Sequence, residues 1–557
     1  MAKYNTLSYL TALLKAYGIK NIVANPGTQN SQFNAIVQKT DYFNCYSVLD
    51  ERSAAYTAVG IAQETGEPVV ITCTGATASR NYLSALTEAY YRKIPIIAIT
   101  FYPDYSNKYS LEPQYIDRSI SQNDVKTIDV DLPIIRTNED KEECIILIQE
   151  ALFTAKYRNE PVHINCHINL NFDEDYLSLP EVLPVECHKE NFEILQDNMQ
   201  NQDFAIFIGA HRKFSAEEHN AISVFAKSWD LPVICDHTSN YFGDNKVLLS
   251  RYCAMQRVRR HPQYIIDMGL VSGNYFQGFL FRPNIKIWRI SEDMALHFRN
   301  NRHVERILFG QEKAIFKALT RKEKITDGYY TYIKSEMNKL KNPDLPLSNT
   351  LICENLAKYL PENCTLHASI INSLRSINFY ETEKKVEISC NVGGFGIDGA
   401  VSTLVGQSLA APDKLHFGLI GDLAFFYDMN ILGNRHITNN IRILLVNNNK
   451  GVEFRFNPIL EKHLGNETDV LISAGNHYKN GAKDWALSCG FEYMHADNKE
   501  SFLKQIQGFC NNKFEKPVLF EVYTKTEDEQ ESYNLIQQYN RNKLEDAAIK
   551  IYHAFKI

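Results

Sequence analysis

Gly421 and Asp422 close the apolar run LHFGLIG and open a helical stretch; the next apolar run, IRILLV, ends in Asn447, Asn448 and Asn449. A carboxylate and a side-chain amide at two neighbouring strand ends are hard oxygen ligands of the kind Mg²⁺ or Ca²⁺ prefers, and Mg²⁺ commonly completes its shell with phosphate oxygens and water. A glycine at such a turn lets a diphosphate reach the backbone, while the helix that follows offers free N–H groups. These residues therefore suit a metal-bridged diphosphate. The plainer alternative makes Asp422 a helix cap and the asparagine run a turn. A second acid, Glu51 in VLDERSAAYTAVGIA, stands between an apolar run and a helix whose small residues permit close packing. Taken alone, it could be a first-turn acid favoured by the helix dipole.

Short β-rich runs alternate with helical stretches and would position these groups: NIVAN, PVVITCT, PIIAIT, PVHINC, FAIFIGA, LPVICD, KIWRIS, LHFGLIG, IRILLVNNN and PVLFEVY. Such alternation predicts parallel sheets flanked by helices, with ligands at the carboxyl ends of the strands. The 557 residues exceed what one core can organise. Breaks in the pattern at NFDEDYLSLPEVLPVECHKEN and at the Lys-rich stretch before residue 346 give an α/β chain of three domains, 1–175, 190–320 and 346–557. A net charge of −7 with both signs mixed along the chain leaves no basic face for nucleic acid. No apolar run approaches the roughly 18 residues of a membrane span. Twelve cysteines without a CxxC pair read as buried thiols of a reducing cytoplasm.

The segment beginning GDLAFFYDMN and closing with VNNN resembles the diphosphate and metal motif of the thiamine diphosphate enzymes. Within that family its wording is nearest to the synthase of menaquinone biosynthesis, which joins a 2-oxoglutarate-derived unit to isochorismate. NVGGFGIDG, residues 391–399, resembles the glycine-rich stretch of the same synthase. The resemblance implies that Asp422, Asn448 and the carbonyl of Lys450 hold Mg²⁺, with Asn449 one residue out of register as the lesser candidate. It further implies that Gly421, Leu423, Ala424 and Gly394 line the cofactor and that Ile397 props it in a bent shape. Glu51 occupies the place of the acid that touches N1′ of the aminopyrimidine. The cofactor's own imino group becomes a base only when N1′ is protonated, so a carboxyl shielded from water can share that proton and act as a tautomer switch. Pro26 and Gly27 match the turn after the first strand, Thr74, Gly75 and Asn81 the second cofactor-facing loop, and Gln114 the glutamine facing the reacting carbon. Because the two cofactor ends come from different subunits in this family, a homodimer or homotetramer is implied.

The chain departs from that synthase where carboxylate-reading arginines are expected. Gln29 stands in the loop after the first strand, no arginine occurs from Ile99 to Ser106, and Val392 precedes the glycine-rich stretch. A lost guanidinium leaves a substrate carboxylate unpaired, at a cost of several kcal/mol. Arg80, Lys108, Arg118, Arg375, Lys450 and Arg455 could compensate, although a solvated surface role is the expectation for each. The paired histidines of simple pyruvate-type decarboxylases are also missing. The expected activity is thiamine diphosphate- and Mg²⁺-dependent decarboxylation of a 2-oxo acid with transfer of the acyl-anion equivalent to an acceptor other than isochorismate. A non-ligating decarboxylase and an inactive cofactor-binding homologue are the alternatives.

Overall fold

The computed structural model describes residues 4–102, 116, 122–167, 176–184, 192, 195–254, 260–273, 275–276, 284–292, 304–464, 473 and 479–540. Gln114, Lys108 and Arg118 lie outside the described residues. The alternating runs form three six-stranded sheets whose described pairings are all parallel. The first contains β1 (Asn21–Ala24), β2 (Asn44–Ser47), β3 (Val69–Thr74), β4 (Ile96–Tyr102), β5 (Ile128–Leu132) and β6 (Val162–His167), in the order β2-β1-β3-β4-β6-β5. The second contains β7 (Phe204–Ile208), β8 (Val233–Cys235), β9 (Lys246–Leu248), β10 (Tyr264–Met268), β11 (Lys286–Ser291) and β12 (Val304–Phe309), ordered β12-β11-β10-β7-β8-β9. The third contains β13 (Thr365–Ala368), β14 (Glu387–Ser389), β15 (His416–Gly421), β16 (Ile441–Asn447), β17 (Glu492–Ala496) and β18 (Val518–Tyr523), ordered β14-β13-β15-β16-β18-β17.

Burial follows position in the sheet. Central strands such as β4 (IIAITFY) and β16 (IRILLVN) are buried along their whole length, as strands covered on both faces must be. The edge strand β2 (NCYS) is polar and mostly exposed, which discourages pairing with a foreign strand. The described cysteines are free thiols and most are buried. Among the described residues no helix is long and apolar enough to cross a membrane.

The chain divides into two compact units. One comprises Met1–His188, Asn391–His416 and Ala424–Ile441; the other comprises Lys189–Cys390, Phe417–Leu423 and Arg442–Ile557. In the first unit, the helix Glu51–Thr65 starts at Asp50, whose carboxylate accepts the Ser53 N–H at 2.7 Å, and ends at Gly66 in the left-handed conformation. Its small residues are buried against the helix Ala400–Ala410. A Cβ on Gly60 would lie 2.0 Å from the Thr403 carbonyl oxygen, and one on Gly406 would lie 2.0 Å from that of Thr57. Two glycines thus let the backbones meet where no side chain fits, and Glu51 is carried at the N-terminus of a helix fixed by that crossing.

Replacing Gly60 by Ala improves helix propensity by about 1 kcal/mol but forces the two backbones apart. Net destabilisation of about 2 to 3 kcal/mol is expected in urea unfolding, and a more stable G60A protein would show that the crossing is loose.

Candidate functional site

In the first unit the site grows from the ends of β1 and β3. Asn25 follows β1 and is 1 % exposed; its amide donates to the Val48 carbonyl at 2.8 Å and its Oδ1 accepts the Tyr82 hydroxyl at 2.7 Å. It therefore ties the ends of two strands to the start of the helix Leu83–Arg92. Gly27 packs against Thr74, since a Cβ would meet the Thr74 methyl at 2.2 Å, and Pro26 is exposed beside it. After Thr74 and Gly75, Ala76 takes a φ of 56°, turning the chain into the short helix Ala76–Asn81. That helix ends with Asn81, whose amide nitrogen lies 3.4 Å from Oε2 of Glu51. Asp50 supplies the cap, so the Glu51 carboxylate is not needed for that task. Glu51 is partly exposed, less shielded than the expected buried acid.

The glycine-rich stretch is pinned on both sides of Ile397, itself partly exposed. Upstream, the Gly394 N–H donates to Glu88, a fully buried acid that burial pushes up and that Arg92 accompanies at 3.3 Å. Downstream, the Tyr56 hydroxyl donates to Asp398 at 2.8 Å. Val392, where an arginine would read a carboxylate, is 1 % exposed and belongs to the core.

The second unit holds the other acid. β15 delivers Gly421, whose N–H donates to Ser369 Oγ at 3.1 Å. A Cβ at Gly421 would meet nothing nearer than that oxygen at 3.9 Å, so protein packing does not require the glycine. Asp422 is 3 % exposed, and burial pushes its carboxyl up to about 7 against the N–H groups of Leu423, Asn448, Asn449 and Lys450. The three asparagines separate by environment. Asn447 is buried and donates to Glu521 of β18 at 2.6 Å, whereas Asn449 is exposed with a φ of 64°. Asn448 lies between them, its Oδ1 accepting the Lys450 N–H at 3.2 Å. Leu423 is partly exposed and Ala424 is buried in the helix Asp422–Asp428.

Sequence reasoning missed a further acid. Glu529, in the helix Thr526–Gln538, accepts the Asn349 N–H at 3.0 Å and the Thr524 hydroxyl at 2.8 Å. Burial pushes it up to about 7, with the charges of Asp528 and Asp422 adding to the effect. Its only signal in sequence is an acid on a polar helix. Two of the basic residues also differ from expectation. Arg375 is 8 % exposed and held by Glu453, and Arg455 pairs with Glu461 at 3.1 Å; neither is a solvated surface group. Arg80 is exposed and Lys450 partly so. Among the described residues no three His, Cys, Asp or Glu side chains could jointly hold a metal. Asp422 at the end of β15 and Asn448 just after β16 bring a carboxylate and a side-chain amide oxygen to neighbouring strand ends, and the space at Gly421 is open. This set fits a hard divalent cation beside a diphosphate.

Residues 5–125 match the family model described as "Thiamine pyrophosphate enzyme, N-terminal TPP binding domain". The chain is 30% identical over 541 residues to the 2-succinyl-5-enolpyruvyl-6-hydroxy-3-cyclohexene-1-carboxylate synthase of Bacteroides thetaiotaomicron, covering 92% of this chain and 95% of the relative. It is 29% identical over 560 residues to the synthase of that name from Phocaeicola vulgatus, covering 95% and 97%. The same identity holds over 539 residues for that of Bacteroides fragilis, covering 92% and 95%. The buried acids give a pH test of the cofactor-free protein. Asp422, Asp428 and Glu529 all stand near 7, above ordinary values of 3.8 and 4.5. Between about pH 4 and 7 the folded chain therefore keeps protons that the unfolded chain has lost, so stability falls as pH rises, by on the order of a few kcal/mol. Urea midpoints in EDTA should drop from pH 5 to pH 8, and cofactor with Mg²⁺ should recover part of the loss; a rising midpoint would contradict the assignment. Its full-length likeness to these synthases and its matched N-terminal domain establish that this chain belongs to the thiamine diphosphate enzyme family, whose cofactors are thiamine diphosphate and a divalent metal ion.

Proposed function

We propose that the protein is a thiamine diphosphate- and Mg²⁺-dependent carboligase, which decarboxylates a 2-oxo acid and passes the acyl-anion equivalent to an acceptor other than isochorismate. The observation that carries the cofactor assignment is the buried Asp422 with Asn448 beside an unfilled Gly421. When bound, the cofactor supplies the electron sink for decarboxylation. Asp422, Asn448 and the Lys450 carbonyl would hold the metal, and Gly421, Leu423 and Ala424 would face the diphosphate. Glu51 holds or gives a proton at N1′ of the aminopyrimidine, oriented by the Asn81 amide. Gln114 is assigned to the reacting carbon, and Ile397 to supporting the cofactor's bend. Residues 1–175 form the pyrimidine-binding domain, 190–320 the central one and 346–557 the diphosphate-binding one. Two copies of the chain share each cofactor in a homodimer or homotetramer.

The departures at Gln29 and Val392 support an acceptor with fewer carboxylates than isochorismate. Val392 adds weight because its side chain is packed inside the protein. A panel of 2-oxo acids with thiamine diphosphate and Mg²⁺, assayed for CO2 with and without candidate acceptors, tests the reaction. Release that depends on an acceptor supports ligation, while equal release without one identifies a simple decarboxylase.

Glu51→Gln should lower turnover by at least about a hundredfold, the scale of a lost acid–base group, with circular dichroism and cofactor binding retained. Full activity in that variant would remove the proton switch. Gly421→Ala should leave urea stability within about 0.5 kcal/mol yet weaken thiamine diphosphate binding in calorimetry. Unchanged affinity would place the diphosphate elsewhere.

A further inference from the structure

The loop 369–371 follows β13, the neighbour of β15, and so lies at the sheet edge that carries Gly421. Ser369 joins the two, accepting the Gly421 N–H and donating to Ser373 at 3.0 Å. Two residues on, Ile371 takes φ 66° and ψ −113°, a conformation that a β-branched residue avoids. Strain of this kind costs about 1 to 3 kcal/mol and collects at ligand sites. The Ile371 N–H donates to the Tyr275 hydroxyl at 2.9 Å, and the helix Asn372–Ile377 that begins there carries Arg375 in its last turn.

The Arg375 guanidinium is held from several sides. Its two terminal nitrogens donate to the two carboxylate oxygens of Glu453 at 2.7 and 2.8 Å, and one also reaches Asn372 at 3.2 Å. The rings of Tyr275, Tyr533 and Phe456 surround it at 4.7, 5.7 and 5.9 Å. Glu453 opens the short helix that follows the 447–450 loop of β16. The ion pair thus reaches from the loop after β13 to the loop after β16, on either side of the β15 end with Gly421 and Asp422. A structural clasp between two loops would explain the pair but not the strain, nor the partly exposed rings that surround it.

A guanidinium fork is the usual reader of a substrate carboxylate. Here the fork is already filled, and Glu453, whose side chain is 35 % exposed, adds its own negative charge. An incoming carboxylate would have to displace the partly exposed Glu453 from a buried guanidinium and face that charge, whereas an uncharged group would meet aromatic surface at no such cost. We propose that the Arg375–Glu453 pair determines donor specificity: it admits a 2-oxo acid whose distal end is uncharged and rejects one with a second carboxylate. This inference rests on the decarboxylation proposed above.

The test compares kcat/KM for CO2 release from 2-oxobutanoate and 2-oxoglutarate, using the protein loaded with thiamine diphosphate and Mg²⁺. The native protein should favour the monoacid by about tenfold or more, the scale of one charge-assisted interaction. Glu453→Gln frees the guanidinium charge and should shift that ratio toward the diacid by about tenfold, chiefly through KM. Because that variant leaves a buried cation, the double variant Arg375→Met/Glu453→Leu is measured beside it, with thermal unfolding as the check on folding. It removes both charges and should keep the monoacid preference. A native protein that handles 2-oxoglutarate as well as the monoacid overturns the inference, as does a double variant that shifts like Glu453→Gln. Cofactor binding without CO2 from any 2-oxo acid would instead overturn the proposed reaction, and the pair's role in donor choice with it.

Discussion

A carboxyl group kept out of water needs either a proton or a positive charge, and the third sheet is arranged around one group with that requirement. Asp422 lies at the end of β15 with neutral N–H donors from its own helix and from the end of β16. The nearby acids are satisfied in the same currency. Glu521 receives the Asn447 amide and the Tyr493 hydroxyl, and Glu529 receives the Asn349 N–H and the Thr524 hydroxyl. Dipoles can hold a buried carboxylate in place, but they do not cancel its charge. A divalent cation at Asp422 would cancel it, which is why the same residues that destabilise the empty fold at neutral pH make chemical sense in a loaded one.

The first unit treats its own acid differently. Helix capping falls to Asp50, one residue before Glu51, and close packing of Gly60 and Gly406 fixes the helix behind it. The Glu51 carboxylate is left partly exposed with one amide in reach. The N–H groups around Asp422 fix that carboxyl in place at the strand end, whereas the Glu51 carboxylate is left within reach of a ligand. The two acids differ because the tasks proposed for them differ: one anchors a cation, the other passes a proton.

How much of this could be read in advance depends on where each residue's partners lie. The ten apolar runs became interior strands, because burial on both faces leaves an unbroken hydrophobic signal. The edge strands of these sheets, β2, β5, β9, β12, β14 and β17, escaped the same criterion: most are short or broken by polar residues, and in β12 (VERILF) two charged residues interrupt the apolar ones. Two interior strands, β10 and β13, escaped as well; YIIDM and TLHA interrupt their apolar residues with polar ones. At the site, Gly421, Asp422 and the asparagine run were legible as a local pattern. Glu88, Glu529 and the Arg375–Glu453 pair were not, because each is defined by a contact with a distant part of the chain. Arg375 is the clearest case: on a six-residue helix its charge reads as solvent-facing, and only the fold supplies the carboxylate and rings that bury it.

Cofactor handling and substrate recognition are under unequal physical constraint. A diphosphate with its metal needs oxygen ligands at fixed places, and a proton relay needs an acid within hydrogen-bond reach, so few residues can change without loss of the chemistry. Recognition of the remaining substrate atoms lies in loops at the strand ends, where one guanidinium more or less alters preference by a few kcal/mol and leaves the sheet untouched. On the proposed reading, Gln29, Val392 and the filled fork of Arg375 would each leave less positive charge for a ligand than a free arginine, through a neutral amide, a core aliphatic and an internal carboxylate. Independent changes in one direction are what a shift to less anionic substrates would leave behind. Simple decay of the site would have no reason to keep Asp422 buried, Gly421 open and Arg375 bidentately neutralised.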